Sequence, residues 1–218
     1  MGKHLLPFDQ IANEHPCFLD PEERPDWAGV FQNDNPLKLE IGFGAGNFLI
    51  DMAIREPHSN FIGMDFYHKG IRKVITRMDR LHLKNIRVAY GNAGEKIPIM
   101  FDEGDLSEVF INFPDPWPKK RHHKRRLIKP PFVEMLAGKM APGGTLHIAT
   151  DFEGYALEIL KVLQADARFS NPHADLGYRQ ERESIPKTKY EKAFLDAGRK
   201  IYYFEFSKEP DYVLAPTA

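Results

Sequence analysis

The chain has 218 residues, 42% of them hydrophobic and 28% charged. That balance gives one large domain, with or without appendages, enough apolar mass for a sizeable core. Thirty Lys and Arg stand against 31 Asp and Glu, so net charge predicts no polyanion partner, and any such signal has to come from local clustering. The single cysteine, Cys17, excludes an intrachain disulfide and fits a reducing cytosol. No apolar run approaches the roughly 18–20 residues of a membrane span, and residues 1–20, with early acids and two prolines, are expected not to form a signal peptide.

Residues 1–36 are rich in Pro, Asn, Asp and Glu and read as an irregular arm, packed on the remainder through Phe8, Phe18 and Trp27. From residue 37 short apolar runs alternate with amphipathic stretches. Strands are predicted over Leu37–Gly42, Asn60–Asp65, Asn85–Tyr90, Ser107–Phe113 and Thr145–Thr150. Helices are predicted over Asn47–Glu56, His68–His82, Arg125–Met140 and Phe152–Ala167, with Pro142-Gly143-Gly144 separating a helix from a strand. Lys187–Arg199 reads as a late helix and Lys200–Ser207 as a final strand. Such alternation predicts a mainly parallel sheet with helices on both faces.

The first strand runs into Gly42, Gly44 and Gly46, and a helix follows. Glycines at alternate positions allow a sharp turn and let a nucleotide-like ligand approach the backbone, although a tight turn without a ligand has the same pattern. A dinucleotide fingerprint needs a small residue next, where this chain has Asn47. The spacing G-x-G-x-G is instead that of Rossmann-like methyltransferases. Asp65 ends the second strand, where a carboxylate can accept both hydrogen bonds of a ribose diol or cap a helix. Asn92, after the third strand, can read an adenine edge or simply occupy a turn.

The fourth strand ends in Phe113-Pro114-Asp115-Pro116-Trp117-Pro118. Prolines stiffen this backbone and aim Asp115 and Trp117 outward from the carboxyl edge of the sheet, where open α/β sheets bind ligands. Seven Lys or Arg then fall within residues 119–129, a cluster suited to phosphate contact. Trp117 beside it can stack on a base or pack under its own loop. Asp151 closes the fifth strand at the same edge and is expected to face Asp115 across the crevice, or to cap the following helix.

Together these segments resemble the bacterial-type tRNA (guanine-N(7)-)-methyltransferase family. The likeness rests on Leu39–Gly46, Phe113–Arg126 with its Phe-Pro-Asp-Pro-Trp core, Ala149–Asp151 and Pro186–Glu191, and spans roughly residues 37–206. It implies a Rossmann-like α/β fold with a mostly parallel, seven-stranded sheet, forming a methyltransferase domain over residues 37–218. It also implies S-adenosylmethionine as cofactor, tRNA as partner, a monomer or homodimer, and methylation of the variable-loop guanine at position 46 of tRNA. Carried over by residue, Glu40, Asp65, Asn92 and Asp115 are expected to bind the cofactor with Gly42, Gly44 and Gly46, and Asp115 to be catalytic. Lys119, Asp151, Thr188, Lys189, Tyr190 and Glu191 are expected to bind substrate, with Arg121, Lys124, Arg125 and Arg126 on RNA. Asp65 stands where the family often has Glu, and Asn92 where it often has Asp.

Guanine N7 carries a lone pair and no proton, so its methylation calls for positioning and electrostatic support rather than a general base. Asp115 and Asp151 suit that task as acceptors for guanine N1–H and its amino group. The nine His show no ligand spacing that calls for a metal. Three other readings remain open at this stage: a small-molecule or protein methyltransferase, an NAD-linked enzyme, and a noncatalytic RNA-binding module.

Overall fold

The structure, a computed structural model, describes residues 7–210 apart from 21 and 174. Among the described residues eight strands form one sheet. In chain order they are β1 (Phe18–Leu19), β2 (Leu37–Ile41), β3 (Asn60–Asp65), β4 (Ile86–Tyr90), β5 (Leu106–Asn112), β6 (Met140–Thr150), β7 (Phe169–Ser170) and β8 (Tyr202–Lys208). Their spatial order is β1-β4-β3-β2-β5-β6-β8-β7. Every pairing from β1 through β6 is parallel, and β8 runs antiparallel to both β6 and β7. The expected seven strands are therefore present, and the arm adds an eighth.

The chain proceeds outward from β2 to β3 and β4, then returns to the far side of β2 with β5 and β6. This reversal opens a crevice at the carboxyl ends of β2 and β5, the topological switch point at which open α/β sheets take ligands. All five residues of β2 are buried, as expected of a central strand covered by helices on both faces. Even Lys38 lies inside, where its ammonium meets Glu56 at 2.5 Å and Glu108 at 2.7 Å.

One face of the sheet is packed by α3 (Asn47–Arg55) and α4 (His68–Leu81), whose Ile71, Val74, Ile75 and Met78 make one apolar stripe at helical spacing. The other face holds α5 (Ala93–Met100), α6 (Pro130–Lys139) and α7 (Glu153–Gln164). A late helix, α8 (Lys189–Asp196), and β8 are joined by a smaller cluster of Phe113, Ala149, Phe194, Leu195, Ile201 and Tyr203.

The structure corrects three expectations. The helix predicted from Arg125 starts at Pro130, because Lys129 before a proline is extended and Pro130 favours a helical first turn; Lys120–Arg125 form a separate 3-10 turn. Strand β6 begins at Met140, and Pro142-Gly143-Gly144 make an insertion within its pairing to β5, where the register jumps from Leu106↔Met140 to Glu108↔Thr145. The arm, whose residues 1–6 and 21 lie outside the described residues, is not irregular. It holds α1 (Phe8–Glu14), β1 and α2 (Trp27–Phe31). Phe8 stacks on His68 with ring centroids 3.7 Å apart, and the Trp27 indole N–H donates to the Met100 carbonyl at 3.1 Å.

Candidate active site

Strand β2 delivers Glu40 to the crevice and then turns through the glycine loop. Gly42, Gly44 and Gly46 have φ of +75°, +55° and +69°, a region that L side chains rarely adopt. A Cβ on Gly44 would meet nothing within 4 Å, whereas one on Gly46 would sit 1.9 Å from the Val74 side chain. Gly46 therefore seats the loop on α4, and Gly44 leaves open space above it. Asp65, at the end of β3, holds the loop. One carboxylate oxygen accepts the Gly44 N–H at 2.7 Å and the other the Tyr67 N–H at 2.9 Å. Each oxygen retains a second lone pair for a ligand hydroxyl.

Two adjoining cavities occupy the crevice. The first, about 460 Å³, is lined by Asp65, Phe66, Asn92, Asp115, Trp117 and Arg125 among others. The second, about 330 Å³, is lined by Glu40, Gly44, Phe48, Tyr67, Lys73 and Thr188 through Tyr190. Gly42, Asn112 and Phe113 belong to both. Asn92 does double service: its side-chain oxygen accepts the Gly94 N–H at 2.8 Å as the N-cap of α5, which leaves its amide N–H groups as donors toward the cavity it lines.

Glu40 is 3% exposed. One of its oxygens accepts from the Asn112 amide at 3.4 Å, and the other has no partner among the described residues. Burial, reinforced by the nearby Asp65 charge, pushes its carboxyl up to about 8. A buried acid with an orphaned oxygen, in a residue that lines a cavity, can accept a hydrogen bond from a cationic donor.

The Phe-Pro-Asp-Pro-Trp segment holds Phe113 at φ +53° and Trp117 at +42°. Such conformations in bulky residues are strained and persist where the surroundings fix them. Those surroundings are visible. The Phe113 N–H donates to the Ala149 carbonyl at 2.7 Å. The Arg126 Nε donates to the Pro116 carbonyl at 2.8 Å, while its Nη1 binds Glu158 and its guanidinium lies 4.8 Å over the Tyr155 ring. Arg126 is only 4% exposed. This corrects its expected place on RNA: it braces the loop from beneath. Lys119, Lys120, Arg121, Lys124 and Arg125 are exposed. The Arg125 guanidinium lies 4.9 Å over the half-buried Trp117 ring, so one face of that ring already has a cationic partner.

Asp151 lines neither cavity. Its carboxylate binds the Arg199 guanidinium at 2.5 Å, and the N-cap of α7 is Phe152, whose N–H donates to the Thr150 hydroxyl at 3.3 Å. Lys189 and Tyr190 are exposed at the rim of the second cavity. Their neighbours serve differently. The Thr188 hydroxyl accepts the Glu191 N–H, and the Glu191 carboxylate accepts the Thr188 N–H, in a capping box that starts α8. Glu191 is fully buried, bound by Arg182 and by the Tyr203 hydroxyl, both at 2.8 Å, which corrects its expected contact with substrate.

Sequence reasoning missed Asn112 and Arg182. Asn112 had a signal, a polar residue at the carboxyl end of a central strand immediately before the proline segment. Arg182, in a coil segment without periodicity, had none.

The sequence profile of a family described as "Putative methyltransferase" matches residues 34–204. A tRNA (guanine-N(7)-)-methyltransferase of Geobacter metallireducens is 40% identical over 201 residues, covering 91% of this chain and 95% of that one. The protein of the same name from Bordetella pertussis is 40% identical over 183 residues, 84% of this chain and 71% of its own. The fold resembles that of the solved 16S rRNA methyltransferase KamB (TM-score 0.58, 13% identity, covering 87% of this chain and 96% of that one). It also resembles that of a SAM-dependent O-methyltransferase from Thermotoga maritima (TM-score 0.53, 15% identity, 93% and 71%).

Proposed function

The chain belongs to the tRNA (guanine-N(7)-)-methyltransferase family, and from that premise we propose that it transfers a methyl group from S-adenosylmethionine to N7 of the guanine at position 46 of tRNA. The observation that carries the cofactor assignment is Glu40. Its buried oxygen has no partner among the described residues, and Glu40 lines the same cavity as Gly44, which adjoins the one lined by Asp65. The residues present fit the group: Glu40 for the ammonium of the methionyl end, Asp65 for the ribose hydroxyls, and the Asn92 amide for the adenine edge. When bound, the cofactor supplies an electrophilic methyl group on a sulfonium.

The chain's own residues then position and stabilise. Guanine N7 needs no base to expose its lone pair. Asp115, exposed on the rigid proline loop beside the crevice, accepts from guanine N–H groups and favours the positive charge that develops on the ring. Tyr190 and Lys189 stand exposed at the rim of the second cavity and flank a base extruded towards the crevice. Lys119, Arg121, Lys124 and Arg125 meet phosphates around it. Asp151 stands outside both cavities, its carboxylate on Arg199, and reaches a guanine amino group only by sharing that carboxylate. No helix among the described residues is long and apolar enough to cross a membrane.

Incubation with methyl-labelled S-adenosylmethionine and unmodified tRNA, followed by mapping of the label, tests this reading. Label at N7 of guanine 46, lost when that base is replaced by adenine, is the expected result. Label elsewhere refutes the site, and absence of transfer refutes the activity.

A further inference from the structure

One line of polar groups crosses the molecule between the cofactor crevice and the rim formed by Thr188 to Tyr190. The Asn112 amide donates to Glu40 at 3.4 Å, and its carbonyl accepts from Arg182 Nη1 at 3.1 Å. Arg182 Nη2 donates to Glu191 at 2.8 Å, and the same Glu191 oxygen accepts the Thr188 N–H at 3.1 Å. The Tyr203 hydroxyl fills the other Glu191 oxygen at 2.8 Å. Arg182 has a side chain only 8% exposed, with its guanidinium 5.6 Å over Phe48 and 5.2 Å over Tyr203. The line alternates acid, amide, cation and acid, so each donor strengthens the next acceptor along it.

Among the described residues two of its buried atoms have no partner: the second oxygen of Glu40, and Arg182 Nε. Burial holds the Glu40 carboxyl neutral near pH 7. A cation placed at the free oxygen draws the proton off. The ionised acid then grips the Asn112 amide, which fixes the carbonyl end of that amide on Arg182. The far end of the line is the capping box that sets the start of α8, and hence where Lys189 and Tyr190 stand.

We propose that Arg182 is a positioning residue that couples occupancy of the cofactor crevice at Glu40 to the placement of the Thr188–Tyr190 rim, so that cofactor and tRNA each bind more tightly when the other is present. The inference rests on the methyltransferase reading above. Coupling between sites is reciprocal and is typically about 5- to 150-fold. Arg182 is placed to carry it: among the described residues it is the side chain that bonds both Asn112 and Glu191.

The test measures tRNA affinity with and without saturating S-adenosylhomocysteine, and S-adenosylhomocysteine affinity with and without tRNA, on the full chain. In the wild type the two ratios should be equal and about fivefold or more. Arg182→Met should bring both ratios to about one, and Arg182→Lys should restore part of the effect, while a packing role alone would lower thermal stability and leave the ratios of the folded protein unchanged. Glu191→Gln keeps an acceptor for the Thr188 N–H but removes the charge facing Arg182, and should also bring the ratios towards one. It decides alone if Arg182→Met does not fold. Unchanged ratios in these variants overturn the proposal. A wild type that binds both ligands independently also overturns it and leaves the methyltransferase reading standing, whereas a wild type that binds no S-adenosylhomocysteine removes both.

Discussion

Replacing Glu40 by Gln removes the ionisation of this acid and leaves its shape. The folded chain holds the Glu40 carboxyl at about 8 instead of the ordinary 4.5, so between those values the native state keeps a proton that the unfolded chain releases. The sign follows from linkage. Stability is fully present below about pH 4.5, falls as pH rises towards 8, and is level beyond. At 1.36 kcal/mol for each tenfold, the loss across the full window is about 5 kcal/mol, of which about 3 kcal/mol has accrued at pH 7. Glu40→Gln should therefore stabilise the ligand-free protein by about 3 kcal/mol at pH 7 and leave it unchanged near pH 4. Urea unfolding from pH 4 to pH 8.5 reads this directly. The same substitution should weaken S-adenosylhomocysteine binding by about tenfold to a hundredfold, the loss of a charge-assisted bond. Calorimetry in buffers of different ionisation enthalpy should detect most of one proton released on binding at pH 7 in the wild type and none in the variant. Parallel stability curves for the two proteins, or equal proton release, would refute the argument that this acid is held neutral by burial and ionised by the ligand.

Asp65→Ala removes both the acceptor that holds the Gly44 N–H and the proposed ribose contact, and should cost about 1.5–3 kcal/mol of S-adenosylhomocysteine affinity by calorimetry. Arg125 and Arg126 should separate cleanly despite adjacency. Arg125→Ala should lower the slope of log affinity against log salt for tRNA by about one. Arg126→Ala should leave that slope alone and destabilise by about 3 kcal/mol, the lower end for a broken buried pair because Lys129 still meets Glu158. Asp151→Asn should slow methylation of guanosine-containing tRNA about tenfold to a hundredfold if Asp151 accepts from the guanine amino group, and much less on inosine-substituted tRNA. Equal losses on both substrates in single-turnover kinetics would leave Asp151 as a partner of Arg199 alone.

What could be read in the sequence was whatever the local chain dictates. Three alternate glycines after a buried strand permit left-handed backbone wherever they occur, and three prolines in five positions stiffen a loop in any setting. The carboxyl-edge positions of Asp65 and Asp115 follow from strand ends, whereas Glu40, inside β2, comes only from the family resemblance. The helix before β6 was begun too early because charge and helix propensity run smoothly through Arg125 to Lys129, and only the backbone conflict at Pro130 breaks it. In sequence Arg126 is one cation of an unbroken basic run and reads like its neighbours, which are exposed at Lys119, Lys120, Arg121, Lys124 and Arg125. The inward turn of Arg126 is set by Glu158 and Tyr155, some thirty residues on. Arg182 is legible only in three dimensions, since its partners Asn112 and Glu191 come from different elements. Short elements such as α2 and β1 fall below the length at which periodicity speaks, and their formation depends on what they pack against.

The two outermost strands of the sheet, β1 and β7, are each two residues long. An exposed parallel strand is a template on which a second molecule can add its own backbone, and short terminal strands are one way proteins deny that template. Phe18 and Leu19 occupy the side of β4 at Val88 and Ala89, and the guanidinium of Arg87 is folded back over Phe31, donating to the Val30 carbonyl. The arm thus covers the side of β4 on which another strand would otherwise pair. A chain shortened to begin at residue 37 would keep every residue of the crevice and bare the flank of β4, so its first failure should be loss of solubility rather than loss of chemistry.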